Sequence, residues 1–509
     1  MSFSTVFTRA AVGLSAPEVL IEIHLSSGLP SLSIVGLPEA AVRESKDRVR
    51  SALLQSGYDF PPGRITVNLA PADLPKEGGR FDLAIALGIL AASGQIPLED
   101  MSEIEFYGEL ALSGHLRPIR GILTASIAAT KAGRALFVPA DNAEEATLST
   151  HAKVLSCNHL LDVCAHLHRA KKIPFETPTA WTPQWLPSLD MSDILGQDHA
   201  KRSLEIAAAG GHSILFYGPP GTGKTMLASR LSGILPPLTE EEAIEVLSLY
   251  SLSKADSSDN LQSLWRMRPF RAPHHTASAP ALVGGGSIPQ PGEVSLAHHG
   301  VLFLDELPEF DRKALEVLRE PLESGLVVIS RAKSHRQFPA RFQLVAAMNP
   351  CPCGYLGATQ PPCRCTQEQV QRYRQKISGP LLDRLDMQVE VPALKREALL
   401  RPPETSSETS LVIRERVVKA RAIQLTRTNK ANFLLTPKEL EKVCLLDEPT
   451  RAFLEKAMEK FNLSARAYHR ILRVSRTIAD LENAQQIEAH HCAEALQYRT
   501  FDRGLVLKK

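Results

Sequence analysis

Ser213-Ile214-Leu215-Phe216-Tyr217 runs straight into Gly218-Pro219-Pro220-Gly221-Thr222-Gly223-Lys224-Thr225, and Met226 to Leu235 continues with a helical pattern. The order is apolar strand, glycine-rich loop, helix. The loop fills every fixed position of G-x-x-x-x-G-K-[ST] in the context that the motif requires. Its glycines let backbone N–H groups wrap a polyphosphate at a helix N-terminus, where the dipole favours anions. Lys224 supplies a point charge for the β- and γ-phosphates, and the Thr225 hydroxyl is placed to ligate Mg²⁺. The chemistry expected is ATP binding with Mg²⁺.

About 80 residues downstream stands Gly300-Val301-Leu302-Phe303-Leu304-Asp305-Glu306-Leu307. Four apolar residues predict a buried parallel strand, with acids at its carboxyl end, where α/β sheets bind ligands. Asp305 is expected to hold Mg²⁺ and Glu306 to polarise an attacking water. Leu344 to Pro350 reads as another strand ending in a polar amide. Asn349 either orients water at the γ-phosphate or closes a turn before Pro350, and its spacing leaves both open.

A chain of 509 residues is too long for one core and predicts two to four domains. Hydrophobic residues at 44% and charged residues at 22% are ordinary for a globular protein. With Lys+Arg 58 against Asp+Glu 56, no global field points at nucleic acid, so any DNA site has to be a local basic surface. No apolar run reaches the roughly 18 residues of a membrane span. The start, Met1-Ser2-Phe3-Ser4-Thr5, lacks the basic and apolar regions of a signal peptide, and a cytoplasmic location is expected.

Working outward, residues 1–167 alternate between strand and helix patterns. Ser31–Val35 is a short apolar run, Pro38–Leu54 has helical periodicity, Arg64–Leu69 reads as a strand and Phe81–Ala92 as a buried helix, and Glu105–Leu112, Gly121–Ala132 and Ala135–Val138 continue the mixture. Prolines at 174, 178, 183 and 187 mark a linker over 168–190. Residues 191–392 form the α/β ATPase core, and 393–509 are mostly helical, interrupted by a loop-like stretch from Arg401 to Ser410.

These residues resemble the AAA+ superfamily, and more closely its magnesium-chelatase-like YifB/ComM branch. The likeness rests on Gly196-Gln197, Arg271-Ala272-Pro273-His274-His275-Thr276, Gln290 to Gly300, Asn349-Pro350-Cys351-Pro352-Cys353-Gly354, and Ser378 to Asp386. It spans essentially the whole chain. The resemblance implies a parallel-sheet P-loop core with a C-terminal helical lid, and it makes Asn349 sensor 1. Arg384 resembles an arginine finger reaching a neighbouring subunit's nucleotide, and Arg466 resembles sensor 2. An added guanidinium stabilises spreading phosphoryl charge by roughly three to five decades in rate. Without the resemblance, an intrahelical pair with Asp383 or Asp386 is the natural reading of Arg384. A finger in trans implies a ring, by analogy a homo-hexamer. The family further implies DNA, single-stranded and branched, and recombination proteins as partners, with branch migration during natural transformation as the task.

Cys351-x-Cys353 and Cys363-x-Cys365 place four thiols within 15 residues. Two close pairs across a Gly- and Pro-containing loop suit a closed tetrahedral S₄ site for structural Zn²⁺ over residues 351–365. Disulfides are the alternative, which a reducing compartment disfavours.

Leu326 to Ser330, Arg331-Ala332-Lys333-Ser334-His335-Arg336 and Gln337 to Phe342 read as a hairpin with a basic tip. The tip is either a solvated turn, where basic residues discourage edge pairing, or a phosphate grip. The superfamily resemblance favours DNA contact through Arg331, Lys333 and Arg336. Val283-Gly284-Gly285-Gly286-Ser287 reads either as a second moving pore loop or as a passive connector. His274-His275 and His298-His299 are poor chelators, because adjacent strand residues face opposite sides.

The N-terminal region resembles the Lon protease α+β fold through Leu74-Pro75-Lys76-Glu77-Gly78-Gly79, Gly108 to Gly114 and Pro118-Ile119-Arg120-Gly121-Ile122. Arg80 and Leu123 occupy the positions of that family's Ser–Lys dyad. Neither side chain can perform the role, so the fold is expected without the peptidase activity.

Overall fold

The computed structural model describes residues 3–36, 40–74, 76, 78–149, 151–177, 189–253, 265–286, 289–331, 334–357, 361–393, 408–461 and 463–499. The chain divides into two units, Met1–Thr182 with Ile244–Trp265, and Pro183–Ala243 with Arg266–Lys509.

The first unit is built on a mixed seven-stranded sheet in the order Ser31–Val35, Arg64–Ala70, Glu18–Ser26, Phe3–Arg9, Ile104–Phe106, Ala135–Pro139, Val154–Cys157. Side chains at alternate positions, Val6, Ile21, Ile23, Ile65 and Val67, are completely buried, as the period of two requires. Against them lies the helix Asp82–Ala92, buried at every residue. Gly88 permits the approach, since a β-carbon there would sit 2.3 Å from Cδ1 of Ile23. Asp82 opens this buried helix and is matched by Arg48, whose Nε lies 2.7 Å from its carboxylate, and by the Ser45 hydroxyl. The helical periodicity after Pro38 is observed as the helix Ala40–Gln55, and the stretch from Gly121 contains the helix Ile122–Lys131. Residues 178–188 of the expected linker lie outside the described residues.

The second unit carries a five-stranded sheet, Phe270–Arg271, Val301–Leu304, Gln343–Met348, Ile214–Tyr217, Met387–Glu390, parallel throughout. Val301–Leu304, Gln343–Met348 and Ile214–Tyr217 are buried along their whole length, which explains why they read as unbroken apolar runs. Helices Asp198–Gly210 and Lys224–Ile234 share one core with the C-terminal helices Ser410–Thr428, Ala465–Leu481 and Ala489–Gln497. The unit is therefore an α/β P-loop core with a helical C-terminal region. Asp386 ties the two together. It accepts from the backbone N–H of Ser213 at 3.2 Å, just ahead of the P-loop strand, and faces His212 and Arg470. The basic hairpin is present as Leu326–Arg331 paired antiparallel with Ser334–Pro339. Among the described residues no helix is long and apolar enough to cross a membrane.

Candidate active site

The P-loop strand Ile214–Tyr217 pairs with Gln343–Met348, which in turn pairs with Val301–Leu304. Parallel register brings their carboxyl ends level, so Gly218, Asp305 and Asn349 leave the sheet side by side. Lys224 begins the following helix and is nearly buried. Its Nζ donates to the carbonyls of Gly218 and Pro219, each at 2.8 Å, and to Oδ1 of Asn349 at 3.2 Å. Burial pulls its pKa down, and the charge of Asp305 opposes the shift. A desolvated ammonium held by carbonyls alone is matched to an incoming polyphosphate.

The Thr225 hydroxyl donates to Oδ2 of Asp305 at 2.7 Å. These are the two groups expected to share Mg²⁺, and their contact places a hydroxyl and a carboxylate oxygen side by side, a hard-oxygen donor pair suited to that ion. Glu306 adopts a left-handed backbone, φ 51°, and its N–H donates to Oδ1 of Asp305. The turn keeps the Glu306 side chain exposed at the sheet edge. Its carboxylate meets Nδ1 of His275 at 3.3 Å. His275 was not singled out from sequence for any role. Its signal lies in the Arg-Ala-Pro-His-His-Thr stretch, which follows the strand beside Asp305. Gln197 is a second addition. Its Nε2 donates to Pro392 O at 2.8 Å and reaches Thr222 O at 3.5 Å, clasping the loop from outside.

The four cysteines converge as their spacing predicts. Sγ–Sγ separations are 3.4 Å for Cys351–Cys353, 3.7 Å for Cys351–Cys363 and 3.5 Å for Cys353–Cys363. A tetrahedron with Zn–S bonds of about 2.3 Å has edges of about 3.8 Å, whereas a disulfide closes to about 2.05 Å. All four sulfurs lie within 4.8 Å of one another. The donor set thus fits one Zn²⁺. Backbone N–H groups of Tyr355 and Arg364 point at Cys353 and hold its thiol down at about 6. The loop touches the nucleotide site. A β-carbon on Gly354, φ 86°, would lie 2.8 Å from Cδ of Pro220 in the P-loop. Arg374, in the helix that follows the cysteines, donates to Pro350 O next to Asn349.

The remaining expected residues are placed elsewhere. Arg384 is ion-paired with Glu323 and donates from Nη1 to Pro380 O at 2.6 Å, rather than pairing with Asp383 or Asp386. Arg466 is exposed near the start of Ala465–Leu481. Of the hairpin's basic residues, Lys333 and the side chain of Arg331 lie outside the described residues. Arg336 is buried at 7% exposure, opposite Ile329 in the hairpin. It is turned away from solvent, because it falls on the inward-facing side of the strand.

In the first unit, Arg80 is buried with its guanidinium over the Tyr107 ring, and Leu123 has no exposed surface. Between them stands Glu145, which accepts from the Leu123 N–H at 3.1 Å and from the Ser251 hydroxyl. Ser251 in turn accepts from the Gly121 N–H at 2.9 Å. Burial pushes Glu145 up, against these hydrogen bonds and the charge of Arg80. A side chain of the helix Glu240–Leu252 is thus packed beside Gly121 and Glu145.

Three family models match along the chain. "Magnesium chelatase, subunit ChlI" covers residues 190–399, "Subunit ChlI of Mg-chelatase" covers 21–142, and "Magnesium chelatase, subunit ChlI C-terminal" covers 407–499. Competence protein ComM of Haemophilus influenzae is 54% identical over 509 residues, 99% of each chain. YifB of Escherichia coli is 49% identical over 506 residues, again 99% of each. The magnesium-chelatase 38 kDa subunit of Rhodobacter capsulatus is 26% identical over 191 residues, 34% of this chain and 53% of that one. End-to-end identity near one half, over a P-loop, an acidic strand end and a four-cysteine loop in mutual contact, makes this chain a member of the YifB/ComM family of magnesium-chelatase-like AAA+ ATPases.

Proposed function

We propose that the chain is a ring-forming ATP-driven DNA motor that moves branched recombination intermediates during uptake of foreign DNA. One observation carries the reading. Lys224, Thr225, Asp305, Glu306 and Asn349 converge on one edge of the parallel sheet. Arg384 meanwhile is engaged with Glu323 and Pro380 rather than with that cluster. A nucleotide site that does not engage Arg384 of its own chain is completed by a neighbour's, and a ring follows. Lys224 binds phosphates, Thr225 and Asp305 hold Mg²⁺, Glu306 orients water, and Asn349 and Arg466 read the γ-phosphate. The four-cysteine loop holds Zn²⁺ as a brace for the P-loop. Arg331 and Lys333 at the hairpin tip contact the DNA backbone, and Arg336 supports the strand. The segment up to residue 167 serves assembly or access of DNA and has no peptidase role. End-to-end similarity to a relative named as a competence protein supports this assignment of the load.

A three-strand branch-migration assay tests it, with wild type, Lys224→Ala and Lys333→Ala proteins. Wild type moves the junction with ATP, Lys224→Ala loses turnover and movement, and Lys333→Ala keeps basal turnover but loses its stimulation by DNA. A wild-type protein that binds DNA and never moves a junction removes the motor reading. The matches to magnesium-chelatase models over three segments favour a second reading, an ATPase subunit that drives a metal-inserting partner. ATP turnover indifferent to DNA selects that alternative.

A further inference from the structure

A cavity of about 240 Å³ opens at the amino ends of the same strands whose carboxyl ends carry the P-loop. Its wall includes Gly211, Gly300 and Gln343, the residues that lead into those strands or begin them. It is a separate site from the nucleotide cluster. Four cations line it, Arg268, Arg341, Arg421 and Lys430, with Glu242 as the lining carboxylate.

The partners of these cations leave charge unbalanced. Arg268 bonds the carbonyls of Pro236 and His299 and lies 3.3 Å from Glu242. Arg421 donates to the carbonyls of Ala208 and Ala209, at the end of the helix Asp198–Gly210. Lys430 pairs at 2.7 Å with Glu439, from outside the cavity. Arg341 is exposed and has no carboxylate partner among the described residues. Carbonyl dipoles satisfy hydrogen bonds without cancelling a full charge, so the four cations meet only the carboxylates of Glu242 and Glu439, and two positive charges stay unbalanced. Burial, and then the like charge of Arg268, pulls Arg421 down to about 10. An anion between the two would reverse that direction.

We propose that this cavity binds a phosphate-class dianion. Three guanidiniums offer forked donors that suit tetrahedral oxyanions, and the two unbalanced charges match a dianion. The Phe433 ring, packed against Gly211, gives the cavity an apolar floor for whatever bears the phosphate. A free phosphate compound and a phosphate of a DNA strand share this chemistry. The inference does not depend on the DNA-motor reading.

The test titrates inorganic phosphate, chiefly the dianion in mildly alkaline buffer, calorimetrically into full-length Lys224→Ala protein, whose P-loop is disabled. The same titration is made after adding Arg341→Gln or Lys430→Met. Arg341 is exposed, so its loss leaves the fold intact, and an unchanged melting temperature checks this. Binding is expected in the parent and weakened by roughly tenfold or more in each double variant, the loss of one charge-assisted contact. Absence of binding in the parent, or equal affinity in all three, overturns the site. Displacement of phosphate by oligothymidylate assigns the site to the strand, and its persistence assigns it to a free anion.

Discussion

Nδ1 of His275 stands 3.3 Å from Oε2 of Glu306, the carboxylate just beyond the strand Val301–Leu304. Glu306 is exposed and sits on a left-handed turn, so little else holds its side chain. His275→Ala is therefore expected to lower kcat by about tenfold while nucleotide affinity stays level, since the imidazole touches Glu306, the group proposed to orient water, and not the phosphate loop. Steady-state turnover beside fluorescent-nucleotide binding checks it. A loss confined to binding contradicts the assignment.

Arg384 is engaged with Glu323 and Pro380. Arg384→Ala and Lys224→Ala are each expected to abolish turnover. Mixing them in equal amounts restores about a quarter of the wild-type rate, because a site with an intact Lys224 then borrows an intact arginine from its neighbour. Measured ATPase activity that stays at zero across all mixing ratios rules out action in trans.

The cysteine loop presses Gly354 against Pro220. Gly354→Ala combines a positive φ with that close approach, and a loss of more than about 1 kcal/mol in stability is expected, with weakened ATP affinity. Cys363→Ser is expected to abolish binding of the proposed zinc, read as metal per chain by mass spectrometry, and to weaken nucleotide binding in parallel. Full ATP affinity in zinc-free protein separates the two sites.

Burial would raise the Asp386 carboxyl, but hydrogen bonding from His212 and the charges of Arg470 and Arg473 carry it well below the usual carboxylate range. A depressed folded-state pKa contributes stability that is full above the unfolded value of about 3.9 and is lost progressively as pH falls from there through the lower folded value. Asp386→Asn is expected to cost roughly 3 kcal/mol at neutral pH and less in acid, because it leaves buried cations unpaired. Chemical denaturation at pH 7 and pH 3 measures the difference.

The strands and the P-loop helix were legible because buried parallel strands write themselves as apolar runs. Ile214–Tyr217, Val301–Leu304 and Gln343–Met348 each end at a residue with chemistry. The cysteine cluster was legible from spacing alone. Arg336 was not, since period-two alternation decides its side of the hairpin and the tip's basic composition masks the pattern. The pairing of His275 with Glu306, and of Ser251 with Glu145, joins residues far apart in sequence. Local periodicity carries no trace of either. The same holds for the partner of Arg384, where sequence offers neighbouring aspartates and the structure supplies Glu323.

The first unit takes residues from two stretches of chain, and the hydroxyl of Ser251 caps Glu145 from the second stretch. A growing polypeptide thus cannot finish its N-terminal body until the ribosome has passed the P-loop and reached residue 265. A fragment stopped at Thr182 would release Glu145 from that hydrogen bond and uncover the surface that Leu252 shields beside Gly121. The N-terminal body therefore matures late in synthesis, after the phosphate loop has been made.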